Sequence, residues 1–516
     1  MYRSAARVAA VVAGALAMAT PLWAQGYQIR WDNWLQSTAY RGVSLDSIAA
    51  ADAVTGAGGG TYSPGGIAVR CLSGAAYCTY FDLGPETRTA PVVSTLDASV
   101  WGFGVQGLKL HVKGRIGTDL TDTGFWPGLK PTGQLLEGYA EYSNPLLTVQ
   151  AGRTNVYSRL GFWGFDGGQA TIRPLHGMLR VGAYGGWALA QSALVYVTNA
   201  ELNPLGDYRP NRPELIFGGS VGWSIPGFEG TVLYQRVIDQ AADATSSEMG
   251  ALEAAVRPGA GFTVAGGAEY DFGQGLWGTN NFQVTYQDPS NWVRVVAGQR
   301  RYRPTFPLWS IWGVFSPSAY NTRYGSIAFY VIPGLELRTR GEAYSYDQGG
   351  SLVDNSGNTD QGTSPLMEAE DAGWRWSVGG TYAGFRRFTI DANYSADYGP
   401  GASSQGVTGR VTVTPLPQVT LALHGGYLDR PLEYRYWDAR VTSYGARLDV
   451  KPLSGISATA GVVRYVEYRA RPDVGNVHWN HVRFTAGLTL VFGSGGRRSP
   501  GLHPSIMRIP EMRRAQ

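Results

Sequence analysis

Two glycine motifs in the chain have the spacing that enzymes use. Gly102, Gly104 and Gly107 spell G-x-G-x-x-G, which binds a dinucleotide pyrophosphate when a helix follows it. Here the alternating segment 108–116 follows, so we interpret the glycines as a turn. The segment 218–222 matches the G-x-S-x-G elbow of serine hydrolases, but no helical pattern comes after it. We therefore predict that the protein is not an enzyme.

The histidines and cysteines do not indicate a metal or a haem. His478 and His481 are three residues apart, which on a strand places them on opposite faces. Cys71 and Cys78 are not part of a C-x-x-C-H motif, so we expect no covalently attached haem. In an oxidising compartment they are predicted to form a disulfide, the alternative being two free thiols. We predict neither a cofactor nor a metal site.

The N-terminal residues have the features of a secretion signal. Arg3 and Arg7 precede the apolar stretch 8–19, and residues 22–24 offer a cleavage site, so we expect residues 1–24 to be removed. The remaining chain has no run of about 18 apolar residues, the minimum for a spanning helix. The formal net charge of +4 is too small to indicate a nucleic-acid partner.

Most of the chain alternates small or apolar residues with polar ones. In the last such segment, 482–492, Phe484 and Leu488 fall on one face while Arg483 and Thr489 fall on the other. Because side chains of a strand alternate between faces, this pattern predicts a strand with one apolar and one wet side. Behind a secretion signal, many such strands indicate an outer-membrane barrel.

The connections between these segments alternate between tight turns and longer stretches. We therefore predict an all-β, transmembrane, antiparallel up-and-down β-barrel of about 22 strands, within a range of roughly 18 to 24, with short periplasmic turns and long extracellular loops. It spans 25–493, begins with a strand at 28–36, and precedes a basic periplasmic tail at 494–516. The long loops include 154–168 and 398–405. A soluble β-sandwich is the alternative, but it has no reason to alternate short and long connections.

The inward faces of the predicted strands carry charges of both signs. Such groups cannot face lipid, so they imply a hydrated interior. Each could brace the wall through ion pairs, or could contribute to a field that selects permeating solutes. The predicted channel-lining residues are Lys109, Lys113, Arg115, Glu137, Glu141, Glu336, Arg338, Arg340, Glu342, Asp391, Arg447 and Asp449.

Two predicted loops are unusually aromatic. Exposed aromatic residues in such numbers would form an adhesive patch. We predict that one loop folds into the barrel as a constriction, or that both dock a protein partner at the outer mouth; the alternative is that they pack on each other. The first loop, 301–321, contains Arg301, Arg303, Phe306, Trp309, Trp312 and Phe315, and the second, 154–168, contains Tyr157, Leu160, Phe162, Trp163 and Phe165.

The chain beyond the signal resembles a bacterial outer-membrane porin-type barrel. A shorter stretch, 151–153 followed by Gly161 and 165–168, is similar to the barrels of porin-cytochrome electron conduits, although the N-terminal cysteine pair of those proteins is missing. The resemblance implies a porin-like channel for small hydrophilic solutes in the outer membrane, surrounded by its lipids. The alternative is a structural sheath that holds a multihaem cytochrome in its lumen and docks a further partner outside.

Overall fold

A computed structural model describes residues 26–494 apart from several gaps. The gaps are 57–59, 65–68, 122–132, 190–213, 241–243, 304–318, 348–371, 386, 400–401, 431–437, 472–474 and 477. The predicted signal, the tail from 495 onward, and Phe306, Trp309, Trp312 and Phe315 lie outside the described residues. No helix in the described ranges has the length and apolar character to cross a membrane.

The described strands form one closed sheet with 22 members in its wall. Each wall strand pairs antiparallel with the next one along the chain, and the first pairs with the last, which closes the cylinder. The predicted all-β up-and-down barrel of about 22 strands is confirmed. The wall strands are β1 (Gly26–Ala49), β2 (Pro91–Trp101), β3 (Leu108–Asp119), β4 (Gly133–Ser143), β5 (Leu147–Ser158), β6 (Gly161–Ile172), β7 (Leu179–Ala188), β8 (Glu214–Ile225), β9 (Phe228–Asp239), β10 (Ala244–Gly259), β11 (Phe262–Asp271), β12 (Leu276–Gln287), β13 (Val293–Tyr302), β14 (Tyr320–Ile332), β15 (Leu335–Tyr346), β16 (Ala372–Phe385), β17 (Phe388–Gly399), β18 (Ala402–Leu416), β19 (Val419–Asp429), β20 (Asp438–Leu453), β21 (Ile456–Arg471) and β22 (Trp479–Ser494).

The connections differ between the two ends of the barrel. At the end where β1 begins, the longest connections have six residues, as at 102–107 between β2 and β3. Gly102, Gly104 and Gly107 all have positive φ there, so the interpretation of the glycine motif as a turn is confirmed. At the other end the connections reach 25 residues, at 347–371. Short turns face the periplasm in outer-membrane barrels, so β1 starts on that side.

Two of the predicted long loops are wrong. The segment 154–168 belongs to β5 and β6, which are joined by the two-residue turn Arg159–Leu160. The segment 398–405 likewise belongs to β17 and β18, which meet at 400–401. In the first case the alternation is hidden because Trp163 and Phe165 are buried on the inner face, so both faces of the strand carry aromatic residues.

β1 continues beyond the barrel wall as one half of a two-stranded ribbon. The predicted strand 28–36 covers only part of it, because β1 runs on to Ala49. Residues 38–49 pair with Tyr77–Thr89, which leads into β2. Cys71 and Cys78 are opposite each other in the pairing of Arg70–Cys71 with that strand, and they form a disulfide. The disulfide therefore lies in the extracellular ribbon, away from the barrel wall.

Short elements complete the described structure. They are the strands Val54–Thr55, Thr61–Tyr62 and Gly475–Asn476 and the 3₁₀ turns Ala50–Asp52 and Leu175–Gly177.

The disulfide makes a prediction for thiol chemistry. We expect a maleimide to label no cysteine in the unreduced protein and to label two after denaturation and reduction, as read by intact mass. We also expect a Cys71→Ser/Cys78→Ser variant to keep the heat-dependent gel mobility of a folded barrel, because the bond closes a loop outside the wall. A labelled thiol in the unreduced, folded protein would contradict the pairing.

Candidate functional site

The outer face of the wall is apolar and the inner face is charged. Large apolar side chains point outward with 37–49% of their surface exposed, and on β15, β20 and β22 they alternate with the inward residues Arg338, Arg447 and Arg483. Exposed apolar area on this scale fits hydrocarbon rather than water. The closed sheet and its apolar exterior are those of a β-barrel that spans an outer membrane. The outward set includes Leu337, Val378, Leu421, Leu423, Leu448, Phe484 and Leu488.

This barrel encloses a cavity of about 3910 Å³. Its lining extends from 143–145, at a short turn, to 273–274, in the connection between β11 and β12 at the opposite end. The predicted residues that line the cavity are Lys113, Glu137, Glu141, Glu336, Arg338, Arg340, Glu342 and Asp391. The other four, Lys109, Arg115, Arg447 and Asp449, lie on the inward faces of β3 and β20, since they alternate with exposed Leu110, Val112 and Leu448.

On β3 and β4 the inward charges pair across the two strands. Lys109 Nζ lies 3.6 Å from Glu141 Oε1, and Lys113 Nζ lies 3.6 Å from Glu137 Oε1. His111, which is buried between the two lysines, has its Nε2 3.3 Å from Glu137 Oε2. These contacts follow from the register, which places Lys109 opposite Glu141 and Lys113 opposite Glu137. This part of the wall is internally neutralised.

A second network joins β15, β16 and β17. Arg338 Nη2 donates to Asp391 Oδ2 at 2.8 Å, and Arg340 Nη2 lies 3.2 Å from Glu342 Oε2. Arg375, which the sequence analysis missed, lies 3.4 Å from Glu342 and 2.8 Å from Asp397. Its position between Trp374 and Trp376 in an alternating segment is a signal that could have identified it as inward.

The turn between β5 and β6 leans into the lumen. Arg159, at its tip, has its Nε 3.0 Å from Glu269 Oε1 on β11 and its Nη1 3.6 Å from Glu253 Oε1 on β10, and it donates to the Thr279 carbonyl of β12 at 3.1 Å. β11 is five strands from β6, or roughly 24 Å along the wall at about 4.8 Å per strand. The hairpin tip must therefore lie inside the barrel, over the inner face of the adjoining wall, where it occupies part of the lumen.

Apolar packing inside the lumen holds the hairpin in this position. Leu160 beside the tip packs with Met249 and Ala251 of β10. Further along β6, Trp163 and Phe165 form a buried cluster with Ile216 and Val237 from β8 and β9. Buried apolar side chains on the inward face of a hydrated barrel need a covering element, and the hairpin supplies it.

Of the two predicted aromatic segments, 154–168 is the β5–β6 hairpin that lies inside the barrel. We call it the constriction hairpin (residues 154–168). The other predicted segment is described only at its edges. Arg301 Nη2 pairs with Asp347 Oδ2 at 2.6 Å, and Arg303 lines the cavity. Both could belong to a docking or constriction loop, which stays a prediction.

The chain matches no protein-family model and no curated protein. Among solved structures it is similar to a ferric enterobactin receptor mutant from Pseudomonas aeruginosa, with 10% identity over 90% of this chain and 81% of the other and a TM-score of 0.49. It is also similar to Acinetobacter baumannii OccAB1, with 10% identity over 91% and 97% and a TM-score of 0.37, and to Pseudomonas aeruginosa OccK3, with 9% identity over 90% and 96% and a TM-score of 0.35. At these values the similarity carries no argument about function.

Proposed function

We propose that the barrel is a channel that lets small hydrophilic solutes pass through the outer membrane. The observation that carries this proposal is the cavity whose lining includes charged and polar side chains of the described residues from the short-turn end to the opposite end. Such a lining keeps a path hydrated, because buried charges without water or partners are strongly unfavourable. The constriction hairpin occupies the part of the lumen next to β10 and β11. In our proposal it thereby sets an upper limit on the size of the solutes that pass.

The constriction hairpin also favours a channel over a sheath. A sheath around a multihaem cytochrome needs its lumen free of its own elements, whereas Arg159 and Leu160 lie inside this lumen and contact the inner faces of β10 and β11. In our proposal the outer-membrane lipids contact the apolar exterior, and solute passage needs no protein partner.

Electrical recording tests the proposed channel. The purified full-length protein, added to a planar lipid bilayer, is expected to give stepwise increases in conductance, and liposomes that contain it should swell in small sugars but not in large oligosaccharides. Heat-denatured protein serves as the control. A folded barrel that inserts into liposomes and gives neither conductance nor swelling would overturn the proposal.

A further inference from the structure

Three basic side chains lie in one row on the inner wall. The register places Arg410 of β18 opposite His424 of β19, His424 opposite Gly445, Gly445 opposite Val463, and Val463 opposite Arg483 of β22. All these positions share the inward face, and His424 interacts electrostatically with both arginines. Arg410, His424 and Arg483 therefore form one basic cluster, which we call the β18–β22 cluster.

The two arginines of this cluster have no ion pair within 4 Å among the described residues. Arg410 is exposed to the cavity. Asp391, opposite Arg410 in the register, interacts with it electrostatically, but the close contacts of that carboxylate are hydrogen bonds from Arg338 Nη2 at 2.8 Å and from Thr381 Oγ1 at 2.7 Å. The guanidinium of Arg410 is thus available to a ligand.

Arg483 is held by neutral groups. Its Nη2 donates to the hydroxyl of Tyr465, and its guanidinium lies 4.9 Å from the centroid of the same ring. Its buried Nε has no hydrogen-bond partner among the described residues. A hydrogen bond and a cation–π contact orient the side chain without cancelling its charge, as in a prepared anion site.

The side chains beside Arg410 that reach the cavity could complete an anion site. His424, Thr408 and Ser443 line the cavity with Arg410, and the two hydroxyls can act as donors. The position over Gly445 is already filled, because a Cβ there would overlap the Val462 carbonyl oxygen and lie 3.0 Å from His424 Cε1. A ligand would therefore sit against Arg410, His424 and these hydroxyls, on the cavity side of the cluster.

We propose that the β18–β22 cluster is a binding subsite for small oxyanions, such as phosphate or a carboxylate. This inference rests on the proposed channel function and names the solutes that it favours. Guanidinium groups bind carboxylate and phosphate oxygens through paired, charge-assisted hydrogen bonds. Arg338, Arg340 and Arg375, in contrast, lie within 4 Å of carboxylates and are not available in this way.

Calorimetry with inorganic phosphate on the detergent-solubilised full-length protein tests the subsite. We expect Arg410→Gln to weaken phosphate binding by about tenfold, the loss of one charge-assisted interaction. Arg410→Lys should bind with intermediate affinity, because it keeps the charge but not the paired geometry. The matched control is Arg440→Gln, which removes an arginine of β20 that lies 3.5 Å from Asp429 and is not part of the cavity lining, and it should bind like the parent.

A reversal potential in a KCl gradient gives a second readout. The parent should prefer anions, Arg410→Gln should lose part of that preference, and Arg440→Gln should change it less. Absence of phosphate binding to the folded parent, or equal effects of the two glutamine variants, would overturn the subsite. Phosphate binding that depends on Arg410 in a barrel without conductance would support the subsite and contradict the channel instead.

Discussion

A Gly167→Val variant is expected to fail to form the closed barrel. Gly167 of β6 faces Gly186 of β7, and a Cβ added at Gly167 would overlap the carbonyl oxygen of Gly185 and the Cα of Gly186. These are backbone atoms that cannot move aside without breaking the β6–β7 ladder. We expect a loss of stability of about 3 kcal/mol or more, measured as the fraction of protein with folded-barrel mobility in unheated gels after refolding into detergent.

Gly341→Val is the matched control for this experiment. Gly341 also lies within a wall strand, β15, but nothing is within 4 Å of the position that its Cβ would take. Its neighbours Arg340 and Glu342 point inward, so the new side chain would face lipid. The control should fold like the parent. Equal folding of the two valine variants would show that the close approach of β6 and β7 is not needed for closure.

An Arg159→Glu variant is expected to widen the channel. The substitution places a third carboxylate beside Glu253 and Glu269, and like charges at these distances repel each other. The tip of the constriction hairpin should then move away from β10 and β11. We expect single-channel conductance to rise on the order of twofold and liposomes to admit larger sugars than the parent does.

Two further variants show whether charge is the cause. Arg159→Lys keeps a cation at the tip and should conduct like the parent, whereas a charge swap, Arg159→Glu with Glu269→Arg, should restore part of the constriction because it re-forms the closer of the two ion pairs. If folded Arg159→Glu barrels conduct like the parent, the hairpin tip does not narrow the solute path.

The sequence predicted the features that repeat along every strand. In β22, the apolar positions Phe484 and Leu488 alternate with Arg483 and Thr489, since one face contacts lipid and the other contacts water, and the whole barrel follows from this pattern. Lys113 and Glu137 lie on neighbouring strands, so the alternation also places these two opposite charges on the same inward face. Local alternation was therefore enough for the wall and for most of its lining charges.

The constriction was harder to predict because its contacts are distant in sequence. Arg159 binds Glu253 and Glu269, about a hundred residues further along the chain, and no local pattern relates them. The aromatic residues of the same segment indicate a special role, but their pattern predicts a long loop instead of two strands. The reason is that Trp163 and Phe165 are apolar and buried on the inward face, so the two faces of β6 do not differ in polarity. Which strands a turn reaches across an open cylinder depends on curvature, which alternation does not encode.

The length of β1 has a mechanical consequence. Its first half forms the seam with β22, and its second half is the extracellular ribbon, with no break in the backbone between them. A force applied to the ribbon from outside the cell is therefore transmitted through one continuous strand to the line along which the cylinder is closed. A pull on the ribbon along the direction of β1 therefore loads the contact between β1 and β22 directly. The eleven residue pairs between these two strands resist that pull in shear.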